Sequence, residues 1–142
     1  MSRIDELKQE IVEVVKKEYR FQMVNMFEGN VSIRYNDKML ITPSQVNKEI
    51  MTPEMIIETD LEGNILYQRE GLYPSSEMGM HLEVYRVRPD VSAVVHNQSM
   101  YARRTSVFRF VPWFCSFINY LLGILFQNKK TPYETKFLTA VL

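Results

Sequence analysis

Cysteine is almost absent from this chain: Cys115 stands alone among 142 residues. One thiol closes no internal disulfide, and no pair of cysteines exists at a zinc-binding spacing. Net charge is missing too. Seventeen Lys and Arg balance seventeen Asp and Glu, so no overall field draws the chain toward nucleic acid or an acidic surface. The first twenty residues are charged and periodic, without the apolar centre of a secretory leader. Internal repeats and low-complexity tracts are lacking. Together these features point to a reducing, cytoplasmic setting and no nucleic-acid partner. Histidine is scarce as well, with only His81 and His96. A three-histidine metal site cannot be assembled from this chain alone.

What is present suits a folded domain. Charged residues make up 24% of the chain, which argues against disorder. The length accommodates one core, so residues 1–142 read as a single domain. One segment tests that reading. Residues 110–126 carry no charge and are flanked by Arg103, Arg104 and Arg109 on one side and Lys129 and Lys130 on the other. That length is at the short end of the roughly 17–25 residues that cross a bilayer. Pro112, Ser116, Asn119 and Gly123 interrupt it, and basic residues on both sides give no orientation. The expectation for 107–126 is burial within or between subunits, not in a membrane.

Residues 3–19 place Ile4, Leu7, Ile11, Val14 and Val15 on one face, which predicts a helix. Ser2 and Asp5 supply its start signal. Val31, Ile33 and Tyr35 alternate with polar residues, and Asn36-Asp37-Lys38 turns the chain, so 30–42 reads as a β-hairpin. Thr52-Pro53-Glu54 marks a short helical turn. Strands at 56–59 and 65–67 flank a second turn. A helix is expected over 76–88, with Ser76 as its N-cap, followed by a short apolar strand over 91–96. Hairpins interleaved with helices indicate a mixed, largely antiparallel α/β domain.

Three polar turns could carry chemistry. Ser75-Ser76-Glu77 opens the second helix, where unpaired backbone N–H groups attract anions; the same tripeptide also serves as a plain helix cap. Gly29-Asn30-Val31-Ser32 and Ile41-Thr42-Pro43-Ser44 lie at strand ends. Such ends can converge on one site, although Gly-Asn commonly means no more than a turn. His96 follows Val94 and Val95, where a buried strand is expected to reach the surface. A His-x-His pair on one strand face would present two imidazoles to a metal. Here the second position is Gln98, whose neutral amide is a poor zinc ligand. His81 reads as a packed or partly exposed helix residue.

The runs GNVSIRY, MLITPS, TPEMIIETDLEGNIL and YPSSEMGMHLEVYRVRPDVSAVVHNQS, and also TPYETKF, stand in an order and spacing that resemble the class II aldolase/adducin family. The stretch from Pro74 to His96 is the specific part. The resemblance implies a three-layer α/β/α sandwich around a mixed, mainly antiparallel sheet, and a tetramer with sites near subunit boundaries. It implies that Asn30, Thr42, Ser75 and Ser76 bind a substrate phosphate and that Glu77 is the acid/base. His96 would be a zinc ligand, with Glu77 beside it. The implied reaction is reversible cleavage of a ketose phosphate, such as fuculose 1-phosphate, to dihydroxyacetone phosphate and an aldehyde.

Departures accompany the likeness. Gln98 stands where the family has its second histidine, and Gln45 where it usually has glycine. The family's third histidine lies beyond the Pro-Tyr landmark, in a C-terminal part this chain lacks. The alternatives are an adducin-like binding or scaffold domain and an inactive aldolase fragment. The retained Ser-Ser-Glu and His96 favour aldolase lineage, and the altered ligands predict weak zinc binding and slow turnover.

Overall fold

A computed structural model describes residues 1–97 and the strand Phe137–Val141. Gln98 and segment 107–126 lie outside the described residues, as does Cys115.

Helix α1 spans Arg3–Arg20. The Ser2 hydroxyl accepts from the Asp5 N–H, and the Asp5 carboxylate accepts from the Ser2 N–H at 2.9 Å. This capping box satisfies two end groups reciprocally. Leu7, Ile11, Val14 and Val15 are buried on one face, as their spacing predicts. Strands β1 (Asn30–Tyr35) and β2 (Lys38–Ile41) form the first hairpin, turned by Asn36 at φ +55°. Two short 3-10 turns, Lys48–Ile50 and Pro53–Met55, lead to β3 (Ile57–Asp60) and β4 (Ile65–Tyr67). Helix α2 is Met78–Val87, β5 is Ala93–Asn97 and β6 is Phe137–Val141.

The strands form one sheet in the order β4-β3-β2-β1-β5-β6. Every neighbouring pair is antiparallel except β5 and β6, which run parallel. Side chains alternate across a strand, so the sheet has two apolar faces. Val31, Ile33, Leu40, Ala93 and Val95 join the buried face of α1. Met39, Ile41, Ile57 and Val94 join Tyr85 and Val91, with Met78, Leu82 and Val84 of α2 packed against them. Each fully buried aliphatic side chain here contributes roughly 1.5–3 kcal/mol. The expected α/β class with a mainly antiparallel sheet is therefore present, and α1 and α2 each pack against one of its two apolar clusters.

Two local expectations need correction. Ser76 is not the N-cap of α2; Glu77 occupies that position and makes no side-chain cap bond. His96 does not surface at a strand end, because β5 continues to Asn97 and buries His96 to 2% exposure. Among the described residues, no helix is long and apolar enough to cross a membrane.

Candidate functional site

Backbone pairing draws three separate polar turns together. The Thr42 carbonyl accepts from the Ser75 N–H at 3.2 Å, and the Tyr73 carbonyl accepts from the Ser44 N–H at 2.8 Å. Pro43 and Pro74 form an isolated antiparallel bridge between these bonds. Thr42 is also tied to β1: its N–H donates to the Val31 carbonyl, and its hydroxyl accepts from the Val31 N–H. The turn after β2 thus links the end of β1 to the segment preceding α2.

A cleft of about 140 Å³ opens at this junction. Asn30, Ser75, Ser76, Glu77 and His96 all line it. Thr42 does not; it is fully buried beneath the lining, with its hydroxyl committed to Val31. Ser75 is buried and its hydroxyl accepts from the Glu77 N–H at 3.3 Å, whereas Ser76 is exposed. The Ser75–Glu77 bond closes a local turn ahead of α2 and does not cap the helix.

His96 is the electrostatic oddity of the cleft. Both ring nitrogens are buried, and neither has a hydrogen-bond partner among the described residues. Leaving such a group unsatisfied costs about 1–3 kcal/mol. Burial lowers the imidazole's pKa, and the nearby Glu77 charge only partly opposes that shift. A neutral, orphaned imidazole beside a carboxylate fits a metal ligand or a substrate contact. Among the described residues, however, no group of three or more His, Cys, Asp or Glu comes together. His81 is not a candidate ligand, because both its nitrogens already have partners in Asn30 and Ser32.

Sequence reasoning missed Lys48, which is 2% exposed and lines the cleft. Burial depresses its pKa, and the charge of Glu18 partly restores it. Glu18, in the last turn of α1, is buried and accepts from Asn97 Nδ2 at 3.3 Å. Burial pushes its carboxyl up to about 7, against the opposing effects of the Asn97 bond and the Lys48 charge. Nothing in a run such as Asn47-Lys48-Glu49 distinguishes a buried lysine from a solvated one. Glu18 did have a faint signal, since it is a charged residue four positions from buried Val14 on the packed face of α1.

Gln45 also lines the cleft and sits at φ +57°, the left-handed region. The glycine expected there by resemblance would adopt this conformation at no steric cost.

Residues 9–136 match the family described as Class II Aldolase and Adducin N-terminal domain. The chain belongs to that family. It is 38% identical over 102 residues to L-fuculose phosphate aldolase of Haemophilus influenzae, covering 72% of this chain and 46% of that relative. It is 44% identical over 72 residues to 5-methylthioribulose-1-phosphate/5-deoxyribulose-1-phosphate aldolase of Escherichia coli, covering 51% of this chain and 32% of the relative. The solved structure of L-fuculose-1-phosphate aldolase from Thermus thermophilus superposes with a TM-score of 0.61 at 34% identity. That match covers 72% of this chain and 51% of the other. A second L-fuculose 1-phosphate aldolase structure gives a TM-score of 0.68 at 30% identity, over 77% of this chain and 50% of that one. This class II aldolase/adducin chain thus spans about half the length of the aldolases it resembles, or less.

Proposed function

We propose that this chain binds a sugar phosphate in the cleft between β1, β5 and the start of α2, and that its chemistry is aldolase-type cleavage of a ketose phosphate. The single observation that carries this reading is the meeting of Asn30, Ser75, Ser76, Glu77 and His96 on one cleft. Amide and hydroxyl donors suit phosphate oxygens, and Lys48 adds a cation within the same lining. Thr42 acts through the turn it clamps. Glu77 is the carboxylate placed to move a proton at the reacting carbon.

His96, with Glu77, would hold zinc, which when bound supplies Lewis-acid polarisation of substrate oxygens. A catalytic zinc ordinarily takes three protein ligands, and these two donors leave that set short. The amide of Gln98 is a weak third. We therefore expect loose zinc binding and slow turnover. The same reading, supported by family membership, extends to one domain over 1–142, a three-layer α/β/α sandwich, a homotetramer and a cytoplasmic setting.

The test is a coupled assay for dihydroxyacetone phosphate release from fuculose 1-phosphate, with added zinc, alongside competition by inorganic phosphate. Phosphate binding with little or no cleavage is expected. Full aldolase turnover with stoichiometric zinc would refute the missing-ligand argument. Absence of phosphate binding would refute the cleft assignment, and would leave an adducin-like scaffold as the better reading.

A further inference from the structure

We infer that His81 is a positioning residue: its imidazole turns the side-chain amide of Asn30 so that Nδ2, and not Oδ1, faces the cleft. The use made of that amide rests on the phosphate reading; its orientation does not. Asn30 and Ser32 are two apart on β1 and so share a face, while His81 and Tyr85 are four apart on α2 and share a face. Packing these faces together makes one buried chain of contacts. His81 Nε2 lies 2.5 Å from Asn30 Oδ1, and His81 Nδ1 lies 2.7 Å from Ser32 Oγ. Ser32 Oγ lies 2.7 Å from the Tyr85 hydroxyl. Ser32 and His81 are fully buried, and Tyr85 and Asn30 nearly so.

A neutral ring with Asn30 Oδ1 against Nε2 sets the direction of the chain. Burial, with a smaller effect from His96, lowers the His81 pKa to about 4, so the ring is neutral with one donor and one acceptor. Burial raises the Tyr85 pKa, so that hydroxyl keeps its proton. Tyr85 O–H donates to Ser32 Oγ, Ser32 O–H donates to Nδ1, and Nε2–H donates to Asn30 Oδ1. The amide Nδ2 is left as the donor that an anion in the cleft would meet. Reversing the chain would turn Oδ1 toward the anion and repel it.

Two measurements on the full chain test this. The first is the imidazole 15N shifts of His81 between pH 6 and 8. The Nε2–H tautomer is expected, and the Nδ1–H tautomer would overturn the inference. The second is a titration with inorganic phosphate followed at the Asn30 side-chain amide. His81→Gln retains a donor toward Asn30 and should bind within about threefold of the parent, while His81→Leu should bind about tenfold or more weakly. If His81→Leu loses thermal stability yet binds phosphate like the parent, the role is structural and the inference fails. If His81→Leu does not fold, the tautomer and His81→Gln decide. If the parent itself does not bind phosphate, the phosphate reading fails, and the tautomer alone still decides how Asn30 is held.

Discussion

Asn30 on β1 and His96 on β5 are direct partners across the antiparallel ladder. Side chains at such positions leave the same face with Cβ atoms about 4.5–5.5 Å apart. The candidate phosphate donor and the orphaned imidazole are therefore held by sheet geometry, not by a loop. That spacing suits a short ligand whose anionic group and reacting oxygens lie a few bonds apart.

Gly29 sets the entry to this ladder. It sits at φ +79°, and an added Cβ would fall 2.8 Å from Val24 Cγ1 and 3.4 Å from the His96 carbonyl oxygen. Gly29→Ala combines left-handed strain with overpacking, a loss of about 2–4 kcal/mol. Urea denaturation measures it, and a loss below about 1 kcal/mol would contradict the close approach.

Gln45 poses the opposite case. Gln45→Gly relieves a left-handed conformation at a cleft-lining position. After the added entropy of the unfolded glycine, the gain should be up to about 1 kcal/mol. Phosphate affinity should rise with it, because a side chain leaves the cleft. A fall in both melting temperature and affinity would contradict this.

Lys48→Met removes a buried cation from the lining while keeping much of its volume. Phosphate binding should weaken by roughly 10- to 100-fold, the loss of one charge-assisted contact. Circular dichroism should show the fold retained. Unchanged affinity would mean that the ammonium does not reach the ligand.

Stability should carry two opposing pH dependences. Glu18 has its folded pKa raised to about 7 from 4.5, so its contribution is full below about pH 4.5 and is lost as pH rises through 7. His81 has its folded pKa lowered to about 4 from 6.5, so its contribution is full above about pH 6.5 and is lost as pH falls through 4. Each amounts to roughly 3 kcal/mol as an order of magnitude. Relative to the parent, Glu18→Gln should show steeper acid destabilisation between pH 6.5 and 4.5. His81→Gln should show steeper loss from pH 4.5 to 7. Parallel profiles for parent and both variants would rule out these assignments.

Gln98→His restores an imidazole two residues beyond His96. Elemental analysis should find more zinc bound to the variant than to the parent, with any dihydroxyacetone phosphate release rising alongside it. Equal zinc content in both proteins would show that position 98 does not limit metal binding.

Much of the framework was legible in sequence because it is local. The 3.6-residue period of α1, the Ser2–Asp5 cap and the two hairpins each depend on neighbours a few residues apart. Local rules also misplaced one cap: Ser76 has the right residue type, but Glu77 takes the N-cap position and the helix starts at Met78. The resemblance pointed to Asn30, Ser75, Ser76, Glu77 and His96, which line one cleft, but not to what lies beneath it. His81 meets Ser32 across 49 positions, and Glu18 meets Asn97 across 79. Whether a histidine, lysine or glutamate is solvated or buried is decided by such distant contacts, because burial depends on which faces pack together. Sequence alone determined α1, the two hairpins, the approximate place of α2 and β5, and the inventory of reactive groups. Tertiary packing decided that His81 meets Asn30, that His96 has no hydrogen-bond partner among the described residues, that Lys48 is buried in the cleft lining and that Glu18 is buried near Lys48.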